Sequence, residues 1–124
     1  MNESGSPLRR IEGARLTSVQ FVLDYLILGF DEKGALTVLV WPEIHRGDVI
    51  LKYGNGTYRD ELCNLITHVV SHAGEVEKQT LTVRFDNGTR LEMPLASLER
   101  TGERAILTGS KHFLHVWSSW DNYR

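Results

Sequence analysis

LTVRFDNGTRLEMPL, residues 81–95, alternates apolar and polar side chains on either side of Asp86-Asn87-Gly88. Leu81, Val83 and Phe85 share one face of an extended chain, and Leu91, Met93 and Leu95 share one face of the next, because successive strand side chains point to opposite sides. Two half-buried strands joined by a tight turn follow. Asn-Gly offers the two positive-φ positions of a type I′ turn, whose twist matches that of the strands it joins. Arg84 and Glu92 are expected to meet on the solvated face, where an exposed ion pair contributes about 0–1 kcal/mol and carries no chemistry.

Working outward, residues 16–23, 25–30 and 35–41 read as three further β segments, the last two joined by the Gly34-containing loop and the third ended by Pro42. Val49 to Tyr53 reads as a short strand among Gly47, Gly54 and Gly56, with no evident pairing partner. Thr57 is placed to cap a helix in which Leu62, Leu65, Ile66, Val69 and Val70 keep helical spacing. One reading carries that helix to Ala73. The other stops it near Thr67 and makes His68 to Glu75 a strand that pairs with residues 79–86 through a turn at Gly74; the β-branched Thr67, Val69 and Val70 favour it. Leu98 to Arg100 reads as a turn of helix, and residues 104–108 and 112–118 as a closing hairpin around Gly109-Ser-Lys111. The fold class is therefore α+β and mostly β: an antiparallel meander or small, partly open barrel of about 6–8 strands, with one short helix at about residues 57–67.

A chain of 124 residues makes one domain. Residues 1–10 read as a flexible leader, 11–118 as a single globular β-rich unit, and 119–124 as an aromatic tail. A net charge of −2 gives no broad electrostatic reason to bind nucleic acid or an anionic membrane. No apolar run is long enough to span a bilayer. A single cysteine, Cys63, leaves no internal disulfide to form, so the expected compartment is the cytoplasm.

No motif fixes a reaction, and no cofactor or metal is implied. His68 and His72 have the i, i+4 spacing of metal ligands on a helix, but Val69 stands where a metalloprotease helix carries its general-base glutamate. Cys63 at the edge of the apolar stripe reads as a small buried residue. Ser71, His72 and Asp60 lack the Gly-x-Ser-x-Gly elbow that would present a nucleophile. The most suggestive polar loop is 41–48, where Glu43, His45, Arg46 and Asp48 follow Trp41 and offer acid, base and anion-binding groups for a ligand or small enzymatic site. Phe113, Trp117, Trp120 and Tyr123 crowd into the last twelve residues. Trp and Tyr anchor interfaces, so Trp117, Trp120 and Tyr123 are the expected partner contacts, with a cover over an open barrel end as the other reading.

The order of motifs carries a resemblance. An N-terminal hairpin pair, a helix ending Leu62-Cys-Asn-Leu-Ile66, the strand Leu81-Thr-Val-Arg-Phe85 with its Asp-Asn-Gly-Thr turn and Leu91, and a closing Leu114-His-Val-Trp117 together resemble a family of small β-rich bacterial proteins of actinobacterial type, a domain of unknown function. Members of such families look like accessory, immunity-like proteins found beside bacterial toxins, which implies an interaction role. The expected function is a non-enzymatic protein-binding domain, in its most concrete form an inhibitor of a toxin. Its partner is another protein, with a homo-oligomer left open. A small-ligand barrel or small enzyme around residues 41–48 is the alternative.

Overall fold

The computed structural model describes residues 6–76, 79–95, 103–109 and 113–118. Ten strands follow one another: β1 (Leu16–Val22), β2 (Tyr25–Phe30), β3 (Gly34–Val38), β4 (Glu43–Arg46), β5 (Val49–Leu51), β6 (Val70–Val76), β7 (Thr80–Phe85), β8 (Arg90–Pro94), β9 (Glu103–Thr108) and β10 (Leu114–Ser118). One helix, α1 (Tyr58–Cys63), lies between β5 and β6. The strands form two antiparallel five-stranded sheets, ordered β1-β2-β3-β9-β10 and β5-β4-β8-β7-β6. The mostly-β, antiparallel class expected from alternation is the observed one, and among the described residues the sheets do not close into a barrel.

Alternation decides which face is buried. Leu26, Leu28 and Phe30 of β2, Leu36 and Val38 of β3 and Leu107 of β9 join Ile44, Leu81, Val83, Phe85, Leu91 and Met93 of the second sheet in a single cluster, each no more than 1% exposed. The sheets are stitched where β1 and β6 begin. Gly13 N–H donates to Val70 O (2.8 Å), Val70 N–H to Ala14 O (2.8 Å), Leu16 N–H to His68 O (3.0 Å) and Thr67 N–H to Leu16 O (2.8 Å).

The β7–β8 hairpin differs from its reading in one detail that resets the register. Gly88 (φ 90) has positive φ and Asn87 does not. Phe85 N–H donates to Thr89 O (2.8 Å) and Gly88 N–H to Phe85 O (3.0 Å), so Asp86, Asn87 and Gly88 form a three-residue loop rather than a two-residue type I′ turn. Arg84 then faces Arg90, and Glu92 faces Thr82. The expected Arg84–Glu92 pair is thereby undone, while the apolar faces still match.

Other expectations are corrected by burial and backbone demand. Residues 7–10 do not belong to a flexible leader, because Pro7–Ile11 form a 3-10 helix capped by the Ser6 hydroxyl, with Leu8 and Ile11 fully buried. The helix ends at Cys63, not Thr67, and Thr57 makes no side-chain cap bond. Cys63 points to solvent while Leu62 fills the core. Residues 70–76 are a strand, as the β-branched cluster suggested, but Gly74 lies inside it opposite Thr82 and not in a turn. The third β segment stops at Val38, and residues 43–46, read as loop, are the missing partner of β5. Gly34 (φ 112) is required twice over: its conformation is left-handed, and a Cβ there would collide with the Thr108 carbonyl oxygen. Residues 1–5, the turn of helix at 98–100, residues 110–112 and the tail 119–124 lie outside the described residues.

The outer strand β6 is closed by a carboxylate. Ala73 N–H donates to Glu12 Oε2 (2.9 Å), Arg9 Nη2 binds Glu12 Oε1 (3.0 Å), and His72 Nδ1 lies 3.4 Å from Oε2. Burial pushes the Glu12 carboxyl up, but the Ala73 N–H and the charges of Arg9 and His72 outweigh it and hold the group below 4.5. Glu12→Ala should cost about 1.5–3 kcal/mol at neutral pH, the range for a hydrogen bond to a charged group. Because the folded value is depressed, the ionic contribution is present above 4.5 and is lost as pH falls through the lower folded value. Urea melts of both chains at pH 7 and pH 3 should show the difference narrowing in acid.

Candidate functional site

The outer face of the second sheet gathers charge because its inner face takes every apolar residue of β4 and β8. Ile44, Leu91 and Met93 point to the core, so Glu43, His45, Arg90 and Glu92 point outward. Register sets Glu43 opposite Glu92 and His45 opposite Arg90. Two like charges directly opposite one another repel. The structure offsets this with a hydrogen-bond donor and a cation beside the pair: His45 Nε2 sits 3.2 Å from Glu43 Oε1 and 3.5 Å from Glu92 Oε1, and Lys52 Nζ is 3.9 Å from Glu43 Oε2. Arg90 Nε lies 2.7 Å from Glu92 Oε2, an ion contact whose N–H direction misses the oxygen. Arg90 Nη2 approaches His45 Nδ1 at 3.2 Å.

That last contact decides what the cluster can do. Glu43, His45 and Glu92 present ligand atoms within 4.8 Å of one another, a spacing a metal ion can use. A guanidinium only donates, so Nδ1 of His45 is the acceptor and the ring proton rests on Nε2, donating to Glu43. A metal held by Nε2 needs the opposite tautomer, with Nδ1–H aimed at an acceptor. Arg90 supplies a donor there instead, together with a positive charge. The four side chains, with Lys52 beside Glu43, form a surface network whose two carboxylates are matched by Arg90 and Lys52.

The other residues of the 41–48 reading diverge from it. Arg46 Nη2 turns to Glu61 Oε2 on α1 (3.0 Å), and Asp48 lies exposed in the turn after Gly47 (φ 61). Trp41 stacks on Tyr53, ring centroids 4.2 Å apart and 15° from parallel, and Tyr53 meets Tyr58 edge-on at 5.9 Å. Glu43 and His45, grouped from the sequence, do lie together, but Arg90 and Glu92 gave no signal there, since a loop at 43–46 has no register against β8.

The histidines with helical spacing serve different carboxylates. His68 Nδ1 bonds Asp86 Oδ1 at 2.7 Å, and His72 faces Glu12. The His68 bond, reinforced by Val69 N–H, holds the Asp86 carboxyl below its ordinary value against a small opposing effect of burial. Of the expected partner-binding aromatics, Trp117 is 4% exposed and belongs to the core cluster, its ring 4.6 Å from His115. Trp120 and Tyr123 lie outside the described residues.

A second feature had no sequence signal beyond the turn glycines. Tyr53, Gly54, Asn55, Gly56, Tyr58 and Arg59 line an open cleft of about 210 Å³. Tyr58 forms its wall because the ring is buried and its hydroxyl donates to Pro42 O; burial, with Tyr53 and Glu43 nearby, pushes that hydroxyl well above the ordinary tyrosine range. No protein-family model, curated protein or solved structure matches this chain. No helix of the described residues is long and apolar enough to cross a membrane.

Two outcomes follow from these placements. Arg90→Met should free His45 Nδ1 and uncover a three-ligand cation site, so that Co²⁺ added to the variant develops the visible bands of ligand coordination while the natural chain at the same concentration does not. Trp117→Ala should lower stability by about 3–5 kcal/mol in chemical denaturation, the range for truncating a buried large aromatic.

Proposed function

We propose that the chain is a non-enzymatic protein-binding domain, and that its concrete form is the immunity-like or antitoxin-like inhibitor of a bacterial protein toxin which the resemblance implies. The observation that supports this reading is the edge strand β5. Val49 is 48% exposed, Ile50 51% and Tyr53 47%, three large apolar side chains in one short hairpin. Proteins normally blunt such an edge with charge, a bulge or a covering segment. β6 has the Glu12 carboxylate and a register shift between Val70 and His72, β1 has a shift between Leu16 and Ser18, and β10 one between Trp117 and Ser118. Among the described residues, β5 has none of these devices and only its shortness. An open, apolar edge is what strand-adding recognition uses. Of Glu43, His45, Arg46 and Asp48, meanwhile, the first two contact each other while Arg46 turns to Glu61 and Asp48 to solvent.

The test is isothermal titration of the chain with the purified product of each adjacent gene. A stoichiometric complex is expected with one of them, and Ile50→Lys should weaken it by about tenfold or more while the melting temperature stays within a few degrees, since the side chain is half in solvent. No complex with any neighbouring product would count against the inhibitor reading, and a complex indifferent to Ile50→Lys would move the surface away from β5.

A further inference from the structure

We infer that the cleft between Tyr53 and Arg59 is an anchor pocket for one aromatic side chain, followed by a carboxylate, on an extended segment of the partner laid along β5. The inference rests on the protein-binding reading and adds to it what the partner must carry. Three independent features converge. The first is backbone. Arg46 and Val49 close a two-residue turn and so form the mutually bonded pair, which makes the next pair, His45 and Ile50, the non-bonded one. Ile50 therefore directs its N–H and C=O away from β4, into the open edge. Pairing cannot continue past Leu51, because Lys52 N–H is taken by Asn55 Oδ1 (2.6 Å) and Lys52 O by Asn55 N–H (3.0 Å). A strand added at Ile50 is thus released at the turn that carries the cleft.

The second feature is the cleft's shape and lining. Its volume of about 210 Å³ is below the range of about 300–1,000 Å³ typical of sites that enclose a whole small ligand, and suits a single ring. Tyr53 is supported by Trp41 on one side and by Tyr58 at an edge, yet is 47% exposed, so a further ring has an aromatic wall to pack against in offset or edge-on geometry. Gly54 and Gly56 leave the opposite side open, for a Cβ at either meets nothing within 4 Å. The third is charge. Arg59 lines the cleft, lies 4.9 Å above the Phe21 ring, and has no carboxylate in ion-pair range among the described residues. Its neighbours do: Arg46 is matched by Glu61 and Lys52 by Glu43. An unmatched guanidinium beside an aromatic pocket calls for an acidic group next to the ring, which the partner supplies.

The experiment uses the ¹⁵N-labelled full chain and the blocked tetrapeptide Val-Tyr-Asp-Val, with three controls: alanine for its tyrosine, asparagine for its aspartate, and N-acetyl-tyrosinamide alone. Saturable amide shifts confined to residues 49–59 are expected for the parent peptide, about tenfold weaker binding for the alanine control and severalfold weaker for the asparagine control. Gly56→Leu should abolish the shifts with an unchanged melting temperature, because the added side chain enters open space, and Arg59→Gln should erase the difference between aspartate and asparagine. Shifts that are absent, or equal for tyrosine and alanine peptides, overturn the anchor. Equal binding of N-acetyl-tyrosinamide makes the cleft a small-molecule site and also overturns it. If a neighbouring gene product binds while these peptides do not, protein binding stands and this docking mode fails.

Discussion

The stitch between residues 13–16 and 67–70 is the constraint on which the rest of the structure depends. Neither sheet can bury its apolar face alone; each needs the other as its lid. Four backbone hydrogen bonds across this seam bring the first strand of one sheet against the first long strand of the other, over a separation of more than fifty residues. Closing so long a loop costs conformational entropy before any contact is made. That cost is recovered only because the seam brings Leu16 and Val70 into the core together. Thr67 shows how strongly the seam is demanded. Its φ of 88 is a left-handed value that a β-branched residue rarely adopts, and backbone placement of this sort costs about 1–3 kcal/mol. The N–H so positioned is the one that donates to Leu16 O.

Once the sheets face each other, the outer face of β4 and β8 has no freedom in what it presents. Burying Ile44, Leu91 and Met93 forces Glu43 opposite Glu92, and the charge balance of the site then depends on Arg90 and Lys52 arriving from neighbouring positions, with His45 donating between the carboxylates. Carboxylates and histidine alone would suggest a metal centre. The guanidinium at Nδ1 changes the chemistry because a hydrogen-bond donor fixes the tautomer, and the tautomer determines whether the nitrogen facing the carboxylates has a lone pair to give. Proximity of ligand types is therefore a weaker argument than the identity of the group on the far side of the ring.

Much of the scaffold was legible because alternation is a local property. Leu81, Val83, Phe85, Leu91 and Met93 are buried as their spacing requires, and Val69 and Val70 leave the helix as their branching suggests. What was illegible depended on partners distant in sequence. Glu43 to Arg46 is too short and too charged to announce a strand, and becomes one because β8 and β5 flank it. The polar segment Ser6 to Glu12 resembles a leader until Leu8 and Ile11 find the core and Glu12 finds the edge of β6. The Asp86–Gly88 loop shows the finest limit: Asn-Gly marks a hairpin correctly, but the length and position of the loop set the register, and a three-residue loop at 86–88 puts Arg84 opposite Arg90 and Glu92 opposite Thr82. The candidate site suffered most, since two of its four residues are joined to the other two only by that register.

The four sheet edges make the functional argument from the opposite direction. Selection against aggregation acts on every exposed edge, and a short strand is itself one protection. β5, only Val49 to Leu51, uses that protection and no other among the described residues, while keeping Val49, Ile50 and Tyr53 half exposed. A strand of this length offers too little backbone to template an indefinite stack, but enough to orient a partner whose remaining affinity comes from a side-chain anchor. Brevity and apolarity together allow specific pairing while limiting promiscuous pairing. On the proposed protein-binding reading, this combination joins the β5 edge and the adjoining aromatic cleft in one surface, whose two parts the peptide and variant measurements separate.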